Sequence, residues 1–417
     1  MDKLRKVFIY ILYLYVIALP LLPSKFKFKG IPLDGDSILA LLILLYLLKI
    51  LIDRESRTRF INGLRNFFKD YLNIFIFLWI AMMYVSVLYA KDKTLALSET
   101  IRFTTYAVLF YIIKYDITEK KVLDNILKLY IFVSMLIGTI GIIESFEGFG
   151  ISSSSATRFI NLIRVSSTLE NANNLGVFFI LIFFPLLVLF IKENNKLKKS
   201  MYFLFTLISV FNIIISGSRN AILALIIGIL LLIIMYNYKI IYILLAGTGI
   251  SLLVPQTFNI IKALGSKFQD PGRIKLWEIA LYIIKDHPIL GVGNGNYRTY
   301  YPMYTKYVKN IEYYARDNFH PHSIFLKAQS ELGIFGLFSL VGMLISSVAK
   351  IIKFSSKVED KFYKYFYKGF TASIIAFIFM NSIDNFFSAP KVIAFFWILL
   401  AAAESYQYNI KNGYLKY

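Results

Sequence analysis

Uninterrupted apolar runs of about 20 residues recur from one end of this 417-residue chain to the other, and each is long enough to cross ~30 Å of hydrocarbon as a helix. A segment in lipid must satisfy its own backbone N–H and C=O groups, which the α-helix does within a single run. Hydrophobic residues make up 58% of the chain and the mean hydropathy is +0.62. Charged residues are 17%, below the roughly 25% of soluble domains. The expected fold class is therefore an all-α polytopic membrane protein. The runs fall near 7–23, 36–52, 71–90, 98–113, 126–146, 174–191, 201–216, 220–237, 240–254, 332–349, 365–381 and 390–404, about twelve transmembrane helices. The first follows a short basic start, continues past Pro20 without a small-residue cleavage site and is followed by further spans, so it reads as a helix and not a removed signal. With no cysteine, disulfides and thiolate metal sites are excluded.

Lysine and arginine in the short loops set the orientation, because basic flanks are retained in the cytoplasm. An inner amino terminus puts the dense basic clusters at 54–69, 114–128, 192–199 and 350–364 inside, with both termini cytoplasmic. The chain then divides into helices 1–9 over 1–254, one large outward-facing segment over 255–331, and helices 10–12 with a cytoplasmic tail over 332–417. The net charge of +21 is mostly this topology signal, and nothing resembles a nucleic-acid module. Several arginines do not fit it: Arg102, Arg158, Arg164, Arg219, Arg273, Arg298 and Arg316 fall on the outer side, which the rule should deplete. A cationic outer surface suits an anionic ligand such as a lipid pyrophosphate or an acidic glycan.

The segment 270–336 is the one long stretch that cannot lie in a bilayer, and chemistry is expected there. Arg219, in ISGSRNAIL, stands between two apolar runs with almost no loop, just where the next helix begins with exposed N–H groups. A fork of donors beside a helix N-terminus suits phosphate; the plainer alternative is an arginine snorkelling to headgroups. Asp270 and Pro271 can open a helix over 272–286, with Arg273 in its first turn; its plainer role is a surface salt bridge. His320 and His322 flank Pro321 ahead of an amphipathic helix that leads to Glu331 and Gly333. A histidine at a helix start is disfavoured as a cation, so His322 can accept a proton as a general base. A structural histidine, or an H-x-H metal pair with Asp317, are the competing readings.

Two signals lead elsewhere. The glycines of GVGNGNY follow no strand, which rejects a dinucleotide site and leaves a sharp turn after the 272–286 helix. The tyrosine-rich run 297–314 suits an interfacial belt or, less readily, stacking on sugars.

Four pieces in order resemble the O-antigen ligase and polymerase superfamily of bacterial envelope enzymes. They are RVSSTLENANNLGVFF (164–179), like the family's R-x-S-G-T-x-x-N-x-N; SGSRNAILAL (216–225); GRIKLWEIALYIIKDHPILGVGNGNY (272–297); and PHSIFLKAQSELGIFGL (321–337), like H-N-x-x-L-x-x-x-x-E-x-G-x-x-G. Ser167 stands where glycine is common, Asn220 where glycine usually follows the arginine, and Ser323 where asparagine follows the histidine. The resemblance implies a GT-C-like fold and an inverting, metal-independent glycosyl transfer, with no cofactor, at the outer face of the cytoplasmic membrane. The donor would be a glycan on undecaprenyl pyrophosphate, held by Arg219 and Arg273, with Arg164 as a supporting contact. His322 would be the base, and His320 and Glu331 would assist substrate binding or loop placement. The acceptor names the reaction: lipid A-core for a ligase, a lipid-linked repeat for a polymerase, a protein serine for an oligosaccharyltransferase. The ligase type is marginally favoured. From another class, a lipid or polysaccharide transporter should carry internal repeats and midplane charges, and neither stands out.

Overall fold

The computed structural model describes residues 2–28, 31–147, 164–236, 271–308 and 320–415. The run expected at 240–254, Asp270, Arg158, Arg316 and Asp317 lie outside them. Among the described residues the chain is helical apart from a two-residue antiparallel hairpin, β1 (Lys27–Phe28) with β2 (Ile31–Pro32). The helices are α1 (Asp2–Leu21), α2 (Gly35–Ile52), α3 (Arg54–Phe67), α4 (Tyr71–Tyr89), α5 (Lys93–Asp116), α6 (Lys120–Glu147), α7 (Ala172–Lys192), α8 (Lys196–Ile215) and α9 (Arg219–Tyr236). They continue as α10 (Pro271–Asp286), α11 (Tyr297–Tyr304), α12 (Ile324–Lys357), α13 (Lys361–Ile383) and α14 (Pro390–Lys411).

Helices therefore stand at eleven of the twelve expected runs. Eight of them are long and apolar enough to cross a membrane, and Arg219–Met235 is a shorter apolar helix. Among the described residues, length and apolarity alone thus carry eight of the twelve expected runs. α5 and α14 are long but polar in places, with Glu99, Arg102, Lys114 and Asp116 on the first and Lys391 and Glu404 on the second. One boundary moves: the basic segment 54–69, read as a loop, contains helix α3, capped by Asp53 through Ser56 N at 3.0 Å. The amphipathic helix expected after Ser323 and the span expected from 332 are both present, joined as α12 across a break at Gly333, with Ser323 as the cap.

Helix α7 runs through the middle of the bundle, with every residue from Leu175 to Leu189 buried. That is how a helix apolar on all sides behaves when other helices, not lipid, surround it. α13 packs along it so closely that a Cβ on Gly369 would lie 2.3 Å from the Phe184 carbonyl oxygen. Small residues permit such approach where no hydrophobic force drives helices together. Pro185 lacks the N–H that would bond to Leu181, and the Ser373 hydroxyl of α13 donates to that Leu181 carbonyl at 3.0 Å. α2, α4 and α8 lie further out and turn side chains such as Leu44, Leu51, Leu88 and Leu204 outward.

At one end of the bundle, charges are buried in pairs. Lys114 Nζ donates to Asp70 at 2.8 Å and Glu404 at 2.7 Å, and Lys350 Nζ to Asp70 at 2.7 Å and Glu404 at 3.3 Å. This closed ring of two cations and two anions joins α5, the start of α4, α12 and α14. Lys49 and Arg59 pair likewise with buried Asp116. Buried charges survive only when matched in this way.

The opposite end carries a small second core. Leu276, Ile279 and Ile283 of α10 close on Val292 and on Tyr297, Tyr301 and Tyr304 of α11. The described part of the tyrosine run is therefore half inward: those three tyrosines are core residues, whereas Tyr307 is exposed. The 288–297 turn is anchored by a break in α12. Gly333 has φ 66° and ψ −163°, which interrupts the helix and frees carbonyls in the turn before it. Val292 N–H then donates to Ser330 O at 2.9 Å, and Gly293 N–H to Glu331 O at 2.8 Å. Gly291, Gly293 and Gly295 all have positive φ, as expected of the sharp turn.

Candidate active site

The first two motifs meet where α7 and α9 begin. Arg164 lies along Gly217, donates from Nε to Ser216 O at 3.2 Å and from Nη2 to Asn173 Oδ1 at 2.7 Å. Val165 N–H bonds Ile215 O at 3.1 Å, tying the strand-like entry of one motif to the end of α8. Ser167, at the glycine-preferring position, has φ 48°, so the chain adopts a left-handed turn with a residue that strains to make it. Its N–H bond to Glu144 at 2.9 Å and its hydroxyl bond to Ile137 O at 2.9 Å hold that turn in place. Asn220 uses its amide to reach Met380 O on α13 at 2.9 Å.

Arg219 is the first residue of α9, with Ser218 preceding it, and is half-buried. Arg273 sits in the first turn of α10 and donates to the Ile383 carbonyl at 3.0 Å, at the C-terminal end of α13. Burial first, and then the charges of Arg219 and Arg273, lower the proton affinity of Arg164. The three arginines from three motifs thus share one electrostatic neighbourhood.

The fourth motif enters beside them. His322 has φ 45°, a conformation uncommon for a side chain of this kind and often found at working sites. Its Nδ1 lies 2.9 Å from Asp384 Oδ1, while Asp384 Oδ2 lies 3.6 Å from Arg273 Nη2. Asn385 N–H donates to the same Asp384 Oδ1 at 2.9 Å. Burial works against the Asp384 carboxylate, but the His322 hydrogen bond and the His322 and Arg273 charges outweigh it and hold its pKa below the usual range. An anionic Asp384 accepts from Nδ1–H, which leaves the Nε2 lone pair of His322 available to take a proton.

His320 supports the loop. Its Nδ1 accepts from His322 N–H at 3.1 Å and the two rings lie 4.2 Å apart. Burial, then the neighbouring His322 ring, hold its pKa well below the ordinary histidine value. Trp277 Nε1–H, one turn after Arg273, reaches His322 O at 3.4 Å. Ser323, where asparagine is usual, accepts from Leu326 N–H at 3.4 Å as N-cap of α12, a role the two residues share. Glu331 lies apart from the histidines. It is 2% exposed and accepts from Gly295 N–H at 2.8 Å and Tyr297 N–H at 3.3 Å, with Lys327 Nζ at 3.5 Å.

Sequence reading therefore names His322, His320 and the three arginines that gather here, and Asp384 is not among its candidates. The available signal was an acid directly after a long apolar run. Of the other outward arginines, Arg102 pairs with Glu99 on its own helix. One set of ligand atoms also meets the geometry for a cation: those of His320, His322 and Asp384 all lie within 4.8 Å of one another.

Residues 204–341 match the family model described as O-antigen ligase. No curated protein matches the chain. The matched stretch holds Arg219, Arg273, His320, His322 and Glu331, while Arg164 and Asp384 fall outside it. Over that stretch, about a third of its length, this helical membrane protein is similar to the O-antigen ligase family.

Proposed function

We propose that the protein is an inverting glycosyltransferase that moves a glycan from undecaprenyl pyrophosphate to an acceptor hydroxyl, at the outer face of the cytoplasmic membrane. The observation that carries this reading is the chain His322 Nδ1, Asp384, Arg273, at 2.9 and 3.6 Å, next to Arg164 and Arg219. It sets a base beside a concentration of positive charge. The acceptor O–H gives its proton to His322 Nε2 as its oxygen attacks the anomeric carbon. The bond from that carbon to the diphosphate oxygen breaks with its electron pair, and the configuration inverts. The leaving diphosphate is met by Arg219 and Arg273, whose fixed charge does the work a metal would otherwise do. Asp384 orients the imidazole and stabilises the imidazolium that forms. Transfer to lipid A-core is the preferred acceptor reading; transfer to a lipid-linked repeat makes the enzyme a polymerase.

A second reading rests on the compact His320, His322 and Asp384 ligand set, which could hold a divalent cation on the diphosphate. Purified protein in nanodiscs with an undecaprenyl-pyrophosphate-linked glycan and EDTA separates the two. The metal-free reading expects native transfer to persist in EDTA, and His322→Ala, Arg219→Ala and Asp384→Asn each to lose about 10²- to 10⁴-fold in kcat. Abolition by EDTA with recovery on adding a divalent ion selects the metal reading. Variants as active as native, or labelled lipid-linked glycan crossing the bilayer without transfer, overturn the transferase and select a transporter. A single adduct marks a ligase and a size ladder a polymerase.

A further inference from the structure

Helix α3, with 14 residues, is too short and too polar to cross a membrane, yet it joins two helices that are not: α2 ends at Ile52 and α4 starts at Tyr71. Phe60 and Phe67, ~10 Å apart along α3 at 1.5 Å per residue, both pack on the ring of Tyr111, with centroids at 5.8 and 6.1 Å. Side chains that far apart on one helix converge on a single residue of another where the two helices cross. α3 therefore lies across the last turns of α5 and not alongside it. Arg59 Nε donates to Asp116 at 3.0 Å and the Tyr111 hydroxyl to Phe60 O at 2.7 Å, which fastens the inner side of α3 there.

The outer side is divided lengthwise. Ile61, Leu64 and, at the C-cap, Phe68 are 42%, 43% and 56% exposed and follow one another at helical spacing in one row. Arg54, Arg65 and Lys69 are exposed beside that row, and among the described residues their side chains have no hydrogen-bond or ion-pair partner. Glu55, the one acid of the helix, is already paired with Arg59 Nη1 at 3.0 Å.

The apolar row runs on into the outward faces of both neighbouring spans. The Phe68 ring meets Phe77 of α4 edge-on at 5.2 Å, and Phe77 is itself 46% exposed. At the other end Arg57 Nη2 donates to the Leu51 carbonyl at 2.6 Å, and the Leu51 side chain turns outward from α2. A surface shared with two spans meets the same hydrocarbon that they do, and a row of unpaired cations along its edge falls at the depth of lipid phosphates.

We infer that α3 is an interfacial helix, seated with Ile61, Leu64 and Phe68 at the acyl boundary of one leaflet, and that Arg54, Arg65 and Lys69 bind the phosphates of anionic phospholipids. Asp70, directly after α3, belongs to the buried charge ring, so this contact is made at the end of the bundle away from the histidines. On the orientation read from the basic loops the leaflet is the cytoplasmic one; the seating itself does not depend on the side, nor on the transferase reading.

The test has two arms on the full chain in nanodiscs. Thr58→Cys, Leu64→Cys and Phe68→Cys, in a chain without cysteine, each carry one nitroxide label whose collisions with oxygen and with a water-soluble nickel chelate report depth. Labels at 64 and 68 are expected to favour oxygen and the label at 58 nickel. All three in water overturn the seating, as do labels at 64 and 68 shielded from both reagents, which would mean that protein, a second copy of this chain included, covers the face. In the second arm, the thermal midpoint is compared in phosphatidylcholine and in phosphatidylcholine mixed with phosphatidylglycerol. The native midpoint is expected to rise with the anionic lipid, because a ligand bound only by the folded chain stabilises it. Each cation removed is expected to weaken phosphatidylglycerol binding about fivefold. The rise should therefore shrink by at least half when Arg54→Gln, Arg65→Gln and Lys69→Gln are combined, and again for native protein in about 1 M salt. Arg65→Gln alone repeats the comparison should the triple variant fail to fold. An equal rise in native and variant protein overturns the anionic-lipid site.

Discussion

Asp384 holds three partners at once, the His322 ring, the Asn385 N–H and the Arg273 guanidinium, and each favours its charged form. It thereby links the histidine loop to the arginine of α10. His320 shows the opposite electrostatics at short range. Burial is its main resistance to a second proton, followed by the neighbouring His322 ring, while its Nδ1 accepts from His322 N–H. This has a sign in pH. An unfolded histidine takes its proton near about pH 6.5. The folded chain refuses it until well below that, so falling pH charges only the unfolded state and stability drops. Asp384, with a lowered pKa, contributes stability above about pH 4 and loses it only at more acid values, outside the window. Between pH 7 and 5 the native protein is expected to lose up to about 2 kcal/mol through His320. His320→Gln keeps an acceptor and cannot titrate; its thermal midpoint should fall less over the same interval. Equal falls in both proteins would remove His320 as the cause.

At the scale of elements, the break in α12 does what a loop could not. A continuous helix would bond its own carbonyls and offer nothing to the 288–297 turn. Gly333 stops that ladder, and the freed Ser330 and Glu331 carbonyls take Val292 and Gly293 N–H while the Glu331 side chain takes Gly295 and Tyr297. The turn is thereby fixed to the helix that starts two residues after His322. A Cβ on Gly333 would stand 1.9 Å from Ile289 O, and its φ of 66° with ψ of −163° is an essentially glycine-only conformation that costs another residue about 1–3 kcal/mol even without the clash. Gly333→Ala is expected to lower the thermal midpoint in detergent and to reduce kcat with it. A variant that melts and turns over like native would show that the turn can seat itself without the break. Glycine at 333 was legible as a pattern match. That it opens a docking edge was not, because the partner segment lies some forty residues away in sequence and only folding brings it there.

Across the whole molecule, the buried ring of Lys114, Asp70, Lys350 and Glu404 lies at one end and the histidine site at the other. Lys350 is 16 residues along the unbroken part of α12 from Ile334, on the order of 24 Å at 1.5 Å per residue, and the histidines lie beyond the break at Gly333. The basic loops that predict a cytoplasmic side fall at the ring's end. The proposed orientation therefore exposes the site outward. Because the chain has no cysteine, single cysteines report sidedness cleanly. Arg298→Cys is expected to react with a membrane-impermeant maleimide in intact cells, and Lys198→Cys only after lysis. Reversed labelling would turn the protein over and move the site to the cytoplasm.

The apolar runs were enough to locate the helices in most places, since a run of apolar residues in lipid has no other way to pair its backbone groups within a single segment. The sequence also determined the residues of the fourth motif and the arginines, whose types and order are local facts. Tertiary structure alone decided what those residues do to one another. Asp384 follows a long apolar run as any loop residue would, until folding sets its carboxylate against His322, 62 positions earlier. The tyrosines of α11 read as a surface belt until α10 closes over them. Hydrogen bonds and ion pairs act over a few ångströms, and separation along the chain carries no information about which side chains come that close.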